Sequence, residues 1–410
     1  MTTSGEEKFN VGGVLLNQPF KIRRLGHFGF NLIHMEEGVR FYTEHLGFKV
    51  SDNNDASRRA KSPEQIAGLG DPKGYFTRYG TDHHALVLFN KRIREALDTR
   101  RRSKPEVTIN QITWQVGSLR EVGNAVKWFS DKGLEIQRSG RDMPGSNWHT
   151  YLYDPDGHTN ELYYGIEQIG WNGHSKPTVM YNRRFEQAPE LPQMSELDEV
   201  QQALKEGIDL TSGYRHIERL PATYDVDGIL LPRPFKIVRL GPVSLFVKDV
   251  EAAATFYRDI LGFIPTEEVT WKGQRCVYMR VNTEHHSIAL YPLALRESLG
   301  FSPHTTSMAL GLQLANYQQL RNAVRFLSDQ GVRITDKVPP DLHPGIDYAA
   351  HVFDPDGHCL QLYYYMEQVG WDGRPRPKEL RRPVSHGEWP EVLDPMSDTY
   401  QGEPYLGPWG

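Results

Sequence analysis

Two stretches of this chain are near copies of each other: VGGVLLNQPFKIRRLG at residues 11–26 and VDGILLPRPFKIVRLG at residues 226–241. A second pair follows: DPDGHTNELYYGIEQIGWNG at residues 154–173 and DPDGHCLQLYYYMEQVGWDG at residues 354–373. Long matches of this kind in the same order indicate repeated structural units. The sequence therefore predicts two similar halves in tandem.

The two halves differ in length. The first pair of matches is 215 residues apart and the second pair is 200 apart, so the first half contains a net 15 extra residues. The motifs TDHHALVLF and TEHHSIALY lie between the two matched pairs and are 202 residues apart. Most of the extra residues therefore lie before these motifs, in the polar segment Ser51–Gly74. We expect an added loop there, over the functional face of the first half.

Each half also divides into two similar modules. The segments FNLIHMEEGVRFYTEHLGF at residues 30–48 and WQVGSLREVGNAVKWFSDKGLEI at residues 114–136 both have the pattern of a strand, a loop, a helix and a glycine. In the first helix Val39, Tyr42 and Leu46 share one face, and Gly47 suits the left-handed position after the helix. Short runs with strand character follow each helix. The pattern predicts an α+β fold with two βαβββ modules in each half.

These patterns divide the chain into five parts. Residues 1–20 are interpreted as an N-terminal arm, 21–175 as the first domain, 176–225 as a linker, 226–373 as the second domain and 374–410 as an extended C-terminal tail rich in Pro, Gly and Trp. Ser195 and Asp198 have the spacing of a helix N-terminal capping box, so we expect one surface helix in the linker.

Composition narrows the classes of function. The net charge is −5 and the basic residues are scattered apart from Arg100–Arg102, which argues against nucleic-acid binding. No apolar run approaches the roughly 18 residues needed to cross a membrane, and the first residues are not those of a signal peptide. We therefore expect a cytoplasmic protein. With only two cysteines, Cys276 and Cys359, any metal must be bound by His, carboxylate or amide groups.

The paired modules resemble the vicinal-oxygen-chelate superfamily, in which two βαβββ modules form a half-open barrel around a metal ion. The resemblance covers most of residues 20–170 and 235–370. Within it, RLGHFGFNLIHMEEGVRFYTEHLGFKVSD at residues 24–52 is similar to the start of the catalytic domain of type I extradiol ring-cleaving dioxygenases. The resemblance implies a glyoxalase-like fold and a divalent metal.

The resemblance also implies which residues bind the metal. His27 matches the histidine ligand of the first strand, and Glu161 matches the glutamate ligand after the DP-containing turn. Gln111 stands where the family has a second His, and glyoxalase-like relatives use glutamine as a ligand. His84 matches a position that is an acid-base His in extradiol enzymes and a ligand in glyoxalase-like ones. This N/O set suits a divalent ion such as Fe²⁺, Mn²⁺ or Zn²⁺, and the resemblance to extradiol dioxygenases makes Fe²⁺ the expected metal.

The same resemblance implies candidate catalytic residues. Tyr151 falls where extradiol enzymes hold a tyrosine that hydrogen-bonds the substrate, and His83, His84 and His149 are the histidines available for proton transfer. Structural roles remain open for Gln111, for Tyr151 and for one His of the doublet. The other nearby histidines are expected to have surface or capping roles: His34, His45, His158 and His174.

The second half serves as an internal control. Its counterparts of His27 and Glu161 are Pro242 and Gln361, and neither supplies an imidazole or a carboxylate. We therefore expect a degenerate second domain and an active first domain. This reverses the arrangement of two-domain extradiol enzymes, whose metal belongs to the C-terminal half.

Three functions are compatible with this pattern. The first is a metal-dependent extradiol-type dioxygenase that uses O₂ to cleave a catecholic or related vicinally oxygenated aromatic, as in aromatic degradation. The second is a glyoxalase-like lyase, isomerase or hydrolase, which Gln111 favours. The third is a non-catalytic ligand-binding protein of the same fold. For each we expect a small-molecule ligand and a homo-oligomer, without nucleic-acid or membrane partners.

Overall fold

The fold is taken from a computed structural model, which describes residues 8–98, 108–141, 145, 147–181, 194–369, 372–381 and 384–393. The Arg100–Arg102 run and much of the predicted tail lie outside these residues. Both halves contain one eight-stranded mixed sheet, and a two-stranded hairpin precedes each sheet.

In its described residues the first half has ten strands and three helices. In chain order they are β1 (Phe9–Val11), β2 (Val14–Leu16), β3 (Ile22–Leu32), α1 (Met35–Arg40), β4 (Lys49–Asp55), β5 (Lys73–Arg78), β6 (Leu86–Asn90), α2 (Lys91–Leu97), β7 (Ile109–Val116), α3 (Leu119–Asp131), β8 (Ile136–Arg141), β9 (Trp148–Tyr153) and β10 (Thr159–Tyr164). The sheet order is β4-β5-β6-β3-β7-β10-β9-β8, with β3 antiparallel to β7 where the two modules meet.

The second half repeats this order after the linker helix. Its elements are α4 (Glu196–Lys205), β11 (Tyr224–Val226), β12 (Ile229–Leu231), β13 (Ile237–Val247), α5 (Val250–Thr255), β14 (Ile264–Trp271), β15 (Gln274–Arg280), β16 (Ile288–Pro292), α6 (Leu295–Ser298), β17 (Ser307–Leu314), α7 (Tyr317–Asp329), β18 (Ile334–Thr335), β19 (Ala349–Phe353) and β20 (Cys359–Tyr363). The sheet order β14-β15-β16-β13-β17-β20-β19-β18 matches that of the first half.

Short helical turns complete the described part of the chain. π-helical turns follow α1 and α5 at Phe41–His45 and Phe256–Ile260. Single 3₁₀ turns occur at Ala56–Arg59, Pro63–Gln65, Thr178–Tyr181, Pro340–Leu342, Lys378–Leu380 and His386–Glu388. The last two lie in the predicted extended tail, so its described part is not wholly extended.

The predicted α+β architecture, with two tandem domains of paired βαβββ modules, is confirmed. Gly47 has a positive φ of +82° directly after the first helical segment, as its sequence position predicts. The Ser195 side chain accepts a hydrogen bond from the Asp198 backbone at 3.1 Å at the start of α4. Residues 56–72 form the long connection between β4 and β5, whereas a two-residue turn joins β14 to β15. The length difference between the halves therefore lies where the sequence placed it.

The two halves share one hydrophobic core, and hydrogen bonds cross between them. Tyr42, after α1, donates its hydroxyl to Asp354 at 3.0 Å, and Tyr257, after α5, donates its hydroxyl to Asp154 at 3.1 Å. Both aspartates begin a repeated DPDG turn. These turns thus have a second role beyond reversing the chain, because each anchors the helical segment of the opposite half.

His158 follows the first of these turns and corrects a sequence expectation. It is fully buried, and its Nδ1 lies 2.9 Å from a carboxylate oxygen of Asp154, so it has no surface role. A buried imidazole needs a polar partner, and this aspartate supplies one. None of the helices among the described residues is long and apolar enough to cross a membrane.

Candidate metal centre

Three neighbouring strands bring the main candidate residues together. His27 on β3 is in register with Thr113 on β7, and Thr113 is in register with Glu161 on β10. Gln111 lies two residues before Thr113, and residues two apart on a strand face the same side of a sheet. Adjacent strands are about 4.8 Å apart, so these side chains converge on one face. We call this face of the first-half sheet the bowl.

Glu161 is the centre of the hydrogen-bond network. Its Oε2 accepts hydrogen bonds from Thr113 Oγ1 at 2.8 Å and Gln111 Nε2 at 3.0 Å, and it lies 3.1 Å from His27 Nε2. Its Oε1 accepts a hydrogen bond from Asn147 Nδ2 at 3.0 Å. Complete burial alone would raise the pKa of Glu161, but the charge and hydrogen bond of His27 and the other donors lower it to about 2. The residue is therefore a carboxylate at neutral pH.

His27 and Glu161 have a separation that suits two ligands of one ion. Ligands bound at about 2.1 Å and at right angles lie about 3 Å apart, which matches the 3.1 Å between His27 Nε2 and Glu161 Oε2. The other ring nitrogen of His27 is buried and has no hydrogen-bond partner among the described residues. The His84 ring lies 4.4 Å from the His27 ring between centroids. The donor chemistry of this group fits a divalent metal.

His84 is suited to be a neutral ligand. Desolvation, followed by the nearby His27 and His83, lowers its pKa well below the usual histidine value. Metal binding requires an unprotonated imidazole, so this environment favours the ligand form. His83 packs behind it, with the two Nδ1 atoms 3.1 Å apart, and His83 Nε2 lies 3.9 Å from a carboxylate oxygen of Asp52.

The predicted ligand set is only partly assembled. Within the described ranges, no group of three or more His, Cys, Asp or Glu side chains surrounds a common point at which a metal could sit. Gln111 directs its amide nitrogen at Glu161, so in this arrangement it orients the carboxylate. His27 with Glu161 is the pair that the fold brings together directly, and the roles of His84 and Gln111 as ligands stay predictions.

The candidate catalytic residues border the same pair. Tyr151 on β9 is in register with Glu161 on β10. Its ring centroid lies 4.6 Å from that of His149, and His149 Nδ1 is 4.0 Å from Glu161 Oε1. Tyr151 and His149 therefore form the wall of the bowl beside the carboxylate, whereas His83 contacts His84.

The sequence reading missed Thr113 and Asn147, which both donate to Glu161. Thr113 could have been found from the strand period, because it follows Gln111 by two residues on a strand that faces the bowl. Asn147 is in the connection before β9, and no sequence pattern relates its position to that of Glu161.

The second half has different chemistry at the matching place. Gly311 stands in register with Gln361, and a Cβ atom on Gly311 would lie 2.4 Å from Pro242 Cδ. Gln361 Nε2 lies 3.2 Å from Nε2 of His351, which replaces Tyr151 of the first half. The His–Glu pair is thus replaced by Pro242 and Gln361.

A cavity of about 660 Å³ lies between the two halves, away from this centre. Residues from both halves line it, among them Asn31 and Lys91 of the first half and Phe246 and Lys248 of the second, but none of the candidate site residues does. The chemistry of the buried His–Glu pair, rather than cavity size, marks the bowl as the candidate site.

A family model described as the Glyoxalase/Bleomycin resistance protein/Dioxygenase superfamily matches residues 24–162 and 239–362, which together exceed half of the chain. The chain belongs to this superfamily. Both matched segments coincide with the paired modules, which confirms the resemblance predicted from residues 24–52.

Two curated relatives of this superfamily match part of the chain. Metapyrocatechase 2 from Cupriavidus necator is 27% identical over 161 residues, which are 38% of this chain and 42% of that protein. The 2,2',3-trihydroxybiphenyl dioxygenase from Sphingomonas paucimobilis is 24% identical over 134 residues, 33% of this chain and 44% of that protein. The matches therefore span less than half of each relative.

Solved structures agree over nearly the whole chain. Homoprotocatechuate 2,3-dioxygenase from Brevibacterium fuscum has a TM-score of 0.54 at 14% identity and covers 91% of both chains. The Mn(II)-bound glyoxalase from Novosphingobium aromaticivorans has a TM-score of 0.52 at 14% identity, with 95% of this chain and 93% of that chain covered. At these identities the likeness shows the fold.

Proposed function

We propose that this protein is a metal-dependent extradiol-type dioxygenase whose active site is the bowl of the first half. The proposal rests on the buried pair of His27 and Glu161, whose Nε2 and Oε2 atoms lie 3.1 Å apart. The strands that hold them, β3 and β10, flank β7 in the sheet. The similarity to Metapyrocatechase 2 and to the 2,2',3-trihydroxybiphenyl dioxygenase supports the reaction class.

His27 and Glu161 would hold the ion, with His84 as the third ligand of a two-His-one-carboxylate set. A divalent ion held by such a set would supply a Lewis acid for both substrate hydroxyls and for O₂. Fe²⁺ is the proposed metal. Thr113 and Gln111 hold the carboxylate in place, because both donate to its Oε2. Fixing a ligand in this way raises the affinity of a site for metal.

The wall of the bowl supplies the acid-base chemistry. His149 lies close to both Glu161 and Tyr151, so it is placed to accept a proton from a substrate hydroxyl and to return it later. Tyr151 would orient the substrate oxygen from the same side. His83, which contacts His84, is the second proton carrier.

The test combines metal content with oxygen uptake. Purified full-length protein is analysed for bound metals, then loaded anaerobically with Fe²⁺ and mixed with catechol, 3-methylcatechol and 2,3-dihydroxybiphenyl while oxygen is recorded. We expect about one metal ion per chain and oxygen uptake with ring-cleavage absorbance.

Glu161→Gln is the decisive variant, because it introduces the residue that the second half already carries at this place. We expect it to lose the metal and the oxygen uptake, while Glu206→Gln on the exposed end of the linker helix keeps both. Unchanged metal content in Glu161→Gln would overturn the site. Zinc or nickel without oxygen uptake would instead support the glyoxalase-like alternative.

A further inference from the structure

The cavity between the two halves is a space outside the candidate metal centre. Its volume of about 660 Å³ is within the range of small-molecule sites in proteins, on the order of 300–1,000 Å³. Such sites occur preferentially where domains meet. Because the lining includes none of the candidate metal or catalytic residues, a ligand bound here would be additional to the proposed substrate.

Equivalent residues of the two halves meet at this cavity. The backbone amide of Thr108 donates to Thr306 Oγ1 at 3.4 Å, and the backbone amide of Thr306 donates to Thr108 Oγ1 at 3.2 Å. Each threonine comes directly before the strand that begins the second module of its half, and both line the cavity. Two identical halves would therefore give this cavity two identical walls.

The two walls differ in chemistry at equivalent positions. Asn31 on β3 and Phe246 on β13 have the same register against the neighbouring strand of their own halves. Lys91 follows the last residue of β6, and Leu293 follows the last residue of β16. All four residues line the cavity. The first half therefore contributes an amide and a cation where the second half contributes an aromatic ring and an aliphatic chain.

The two aspartates of the lining are held by the protein itself. Asp156 accepts a hydrogen bond from the Lys248 backbone amide at 2.9 Å. Asp356 accepts hydrogen bonds from the backbone amides of Ile33 and His34 at 2.5 and 3.2 Å. Each aspartate thus fastens a loop of the opposite half at the edge of the cavity. Walls that are fixed before a ligand arrives lower the entropic cost of binding.

The basic residues of the lining outnumber the acidic ones. Its described part has four lysine or arginine residues against three acidic residues, which leaves one formal positive charge in excess: Lys91, Arg92, Lys248 and Arg296 against Glu95, Asp156 and Asp356. Glu95 is paired with Lys91. Arg92 is exposed and has no ion-pair or hydrogen-bond partner among the described residues. Its guanidinium is therefore available to a bound anion.

We propose that this cavity binds an organic acid with one negative charge and an alkyl body, such as a medium-chain carboxylate. The acid group lies at Arg92 on the basic wall, and the alkyl chain lies against Phe246 and Leu293 on the apolar wall. A ligand that is wholly polar or wholly apolar would leave one wall unmatched. Because the bound acid contacts both halves, it also stabilises their packing.

The test compares an acid with the matched neutral alcohol. Isothermal titration calorimetry measures octanoate and 1-octanol on the full-length protein without added metal. We expect one octanoate per chain, bound roughly tenfold more tightly than 1-octanol because of the added contact with a charged group. From hexanoate to octanoate to decanoate, affinity should rise by up to about fourfold per methylene group, as more apolar surface is buried.

Two variants locate the site. Arg92→Gln should lose the preference for octanoate over 1-octanol and still bind the alcohol as the wild type does, which also shows that it is folded. Leu293→Gln should weaken both ligands several-fold, whereas Leu293→Met, which keeps the wall apolar, should bind both as the wild type does. Arg120→Gln, on the exposed face of α3 and outside the lining, should change neither affinity.

Three results would overturn the proposal: no binding of octanoate, equal affinity of the wild type for octanoate and 1-octanol, or octanoate binding that is unchanged in either Arg92→Gln or Leu293→Gln. Far-UV circular dichroism of Leu293→Gln separates a lost site from a lost fold. The titrations need neither metal nor O₂, so their outcome is independent of the proposed dioxygenase activity.

Discussion

The two tyrosine–aspartate hydrogen bonds between the halves give a matched pair of perturbations in one molecule. Tyr42→Phe and Tyr257→Phe each remove one buried hydroxyl and leave the ring in place. Tyr42 donates to Asp354 at 3.0 Å, and Tyr257 donates to Asp154 at 3.1 Å. The two bonds are therefore alike in length, but the surroundings of the two carboxylates differ.

The difference sets the expected size of each effect. Asp154 also has His158 Nδ1 at 2.9 Å from the oxygen that accepts from Tyr257, whereas the oxygen of Asp354 that accepts from Tyr42 has no second side-chain donor among the described residues. Burial is the largest influence on the pKa of both aspartates. It raises the pKa of Asp354, whereas at Asp154 the charge and hydrogen bonds of His158 outweigh burial and lower the pKa. A hydrogen bond to a charged group contributes about 1.5–3 kcal/mol.

We therefore expect Tyr42→Phe to lower the free energy of unfolding by about 2–3 kcal/mol and Tyr257→Phe by about 1–2 kcal/mol. Urea titrations followed by tryptophan fluorescence and far-UV circular dichroism would measure both, with Tyr224→Phe, on the half-exposed first hairpin strand of the second half, as the control. If neither variant differs from that control by more than about 0.5 kcal/mol, the inter-half bonds do not stabilise the fold. The Tyr257 hydroxyl also accepts a hydrogen bond from Asn160 Nδ2 at 3.3 Å, so a larger loss in Tyr257→Phe would mean that this bond outweighs the effect of His158.

Three further outcomes follow from single contacts. Thr113→Val removes a 2.8 Å hydrogen bond to the site carboxylate, so metal affinity measured by chelator competition should fall roughly ten- to hundredfold. Burial raises the pKa of Glu267, but hydrogen bonds from His285 and Arg381 lower it to about 2. The stability that Glu267 contributes is therefore present above its unfolded pKa and is lost as the pH falls from about 4.5 toward 2. In urea titrations, the unfolding midpoint of Arg381→Gln should depend less on pH in that window than the midpoint of the wild type. Gly311→Ala would place Cβ 2.2 Å from a carbonyl oxygen of the neighbouring strand, and thermal unfolding should show a loss of about 1–3 kcal/mol.

The fold could be predicted because its signals are local or repeated. The repeat predicts two similar halves. The position of Gly47 predicts the end of the first helical segment, and Ser195 predicts the start of the linker helix α4. The cross-half contacts carried no such signal. Tyr42 looked like a core residue of its own helix, and nothing in the sequence relates it to Asp354, which is 312 residues away. Contacts at that separation depend on how the two halves pack.

The site was predictable only in outline. The resemblance supplied His27 and Glu161, and the structure places them 3.1 Å apart. The resemblance did not supply Asn147. This residue lies in the connection before β9, so strand periodicity does not predict where its side chain points. Gln111 was assigned a possible ligand role, but its amide nitrogen is directed at Glu161. Side-chain direction depends on the neighbours in space, which a sequence does not contain.

The changes in the second half depend on one another, which bears on whether its site could be restored. Gln361→Glu alone would return a carboxylate, but Pro242 occupies the position of the histidine ligand and crowds the neighbouring strand. A threonine at Gly311, needed to hold that carboxylate, would place its Cβ 2.2 Å from Gly241 O and 2.4 Å from Pro242 Cδ. The proline and the glycine therefore have to change together before a carboxylate there could be held. Because a charge buried without its donors is costly, the single reversion should destabilise the protein without creating a metal site.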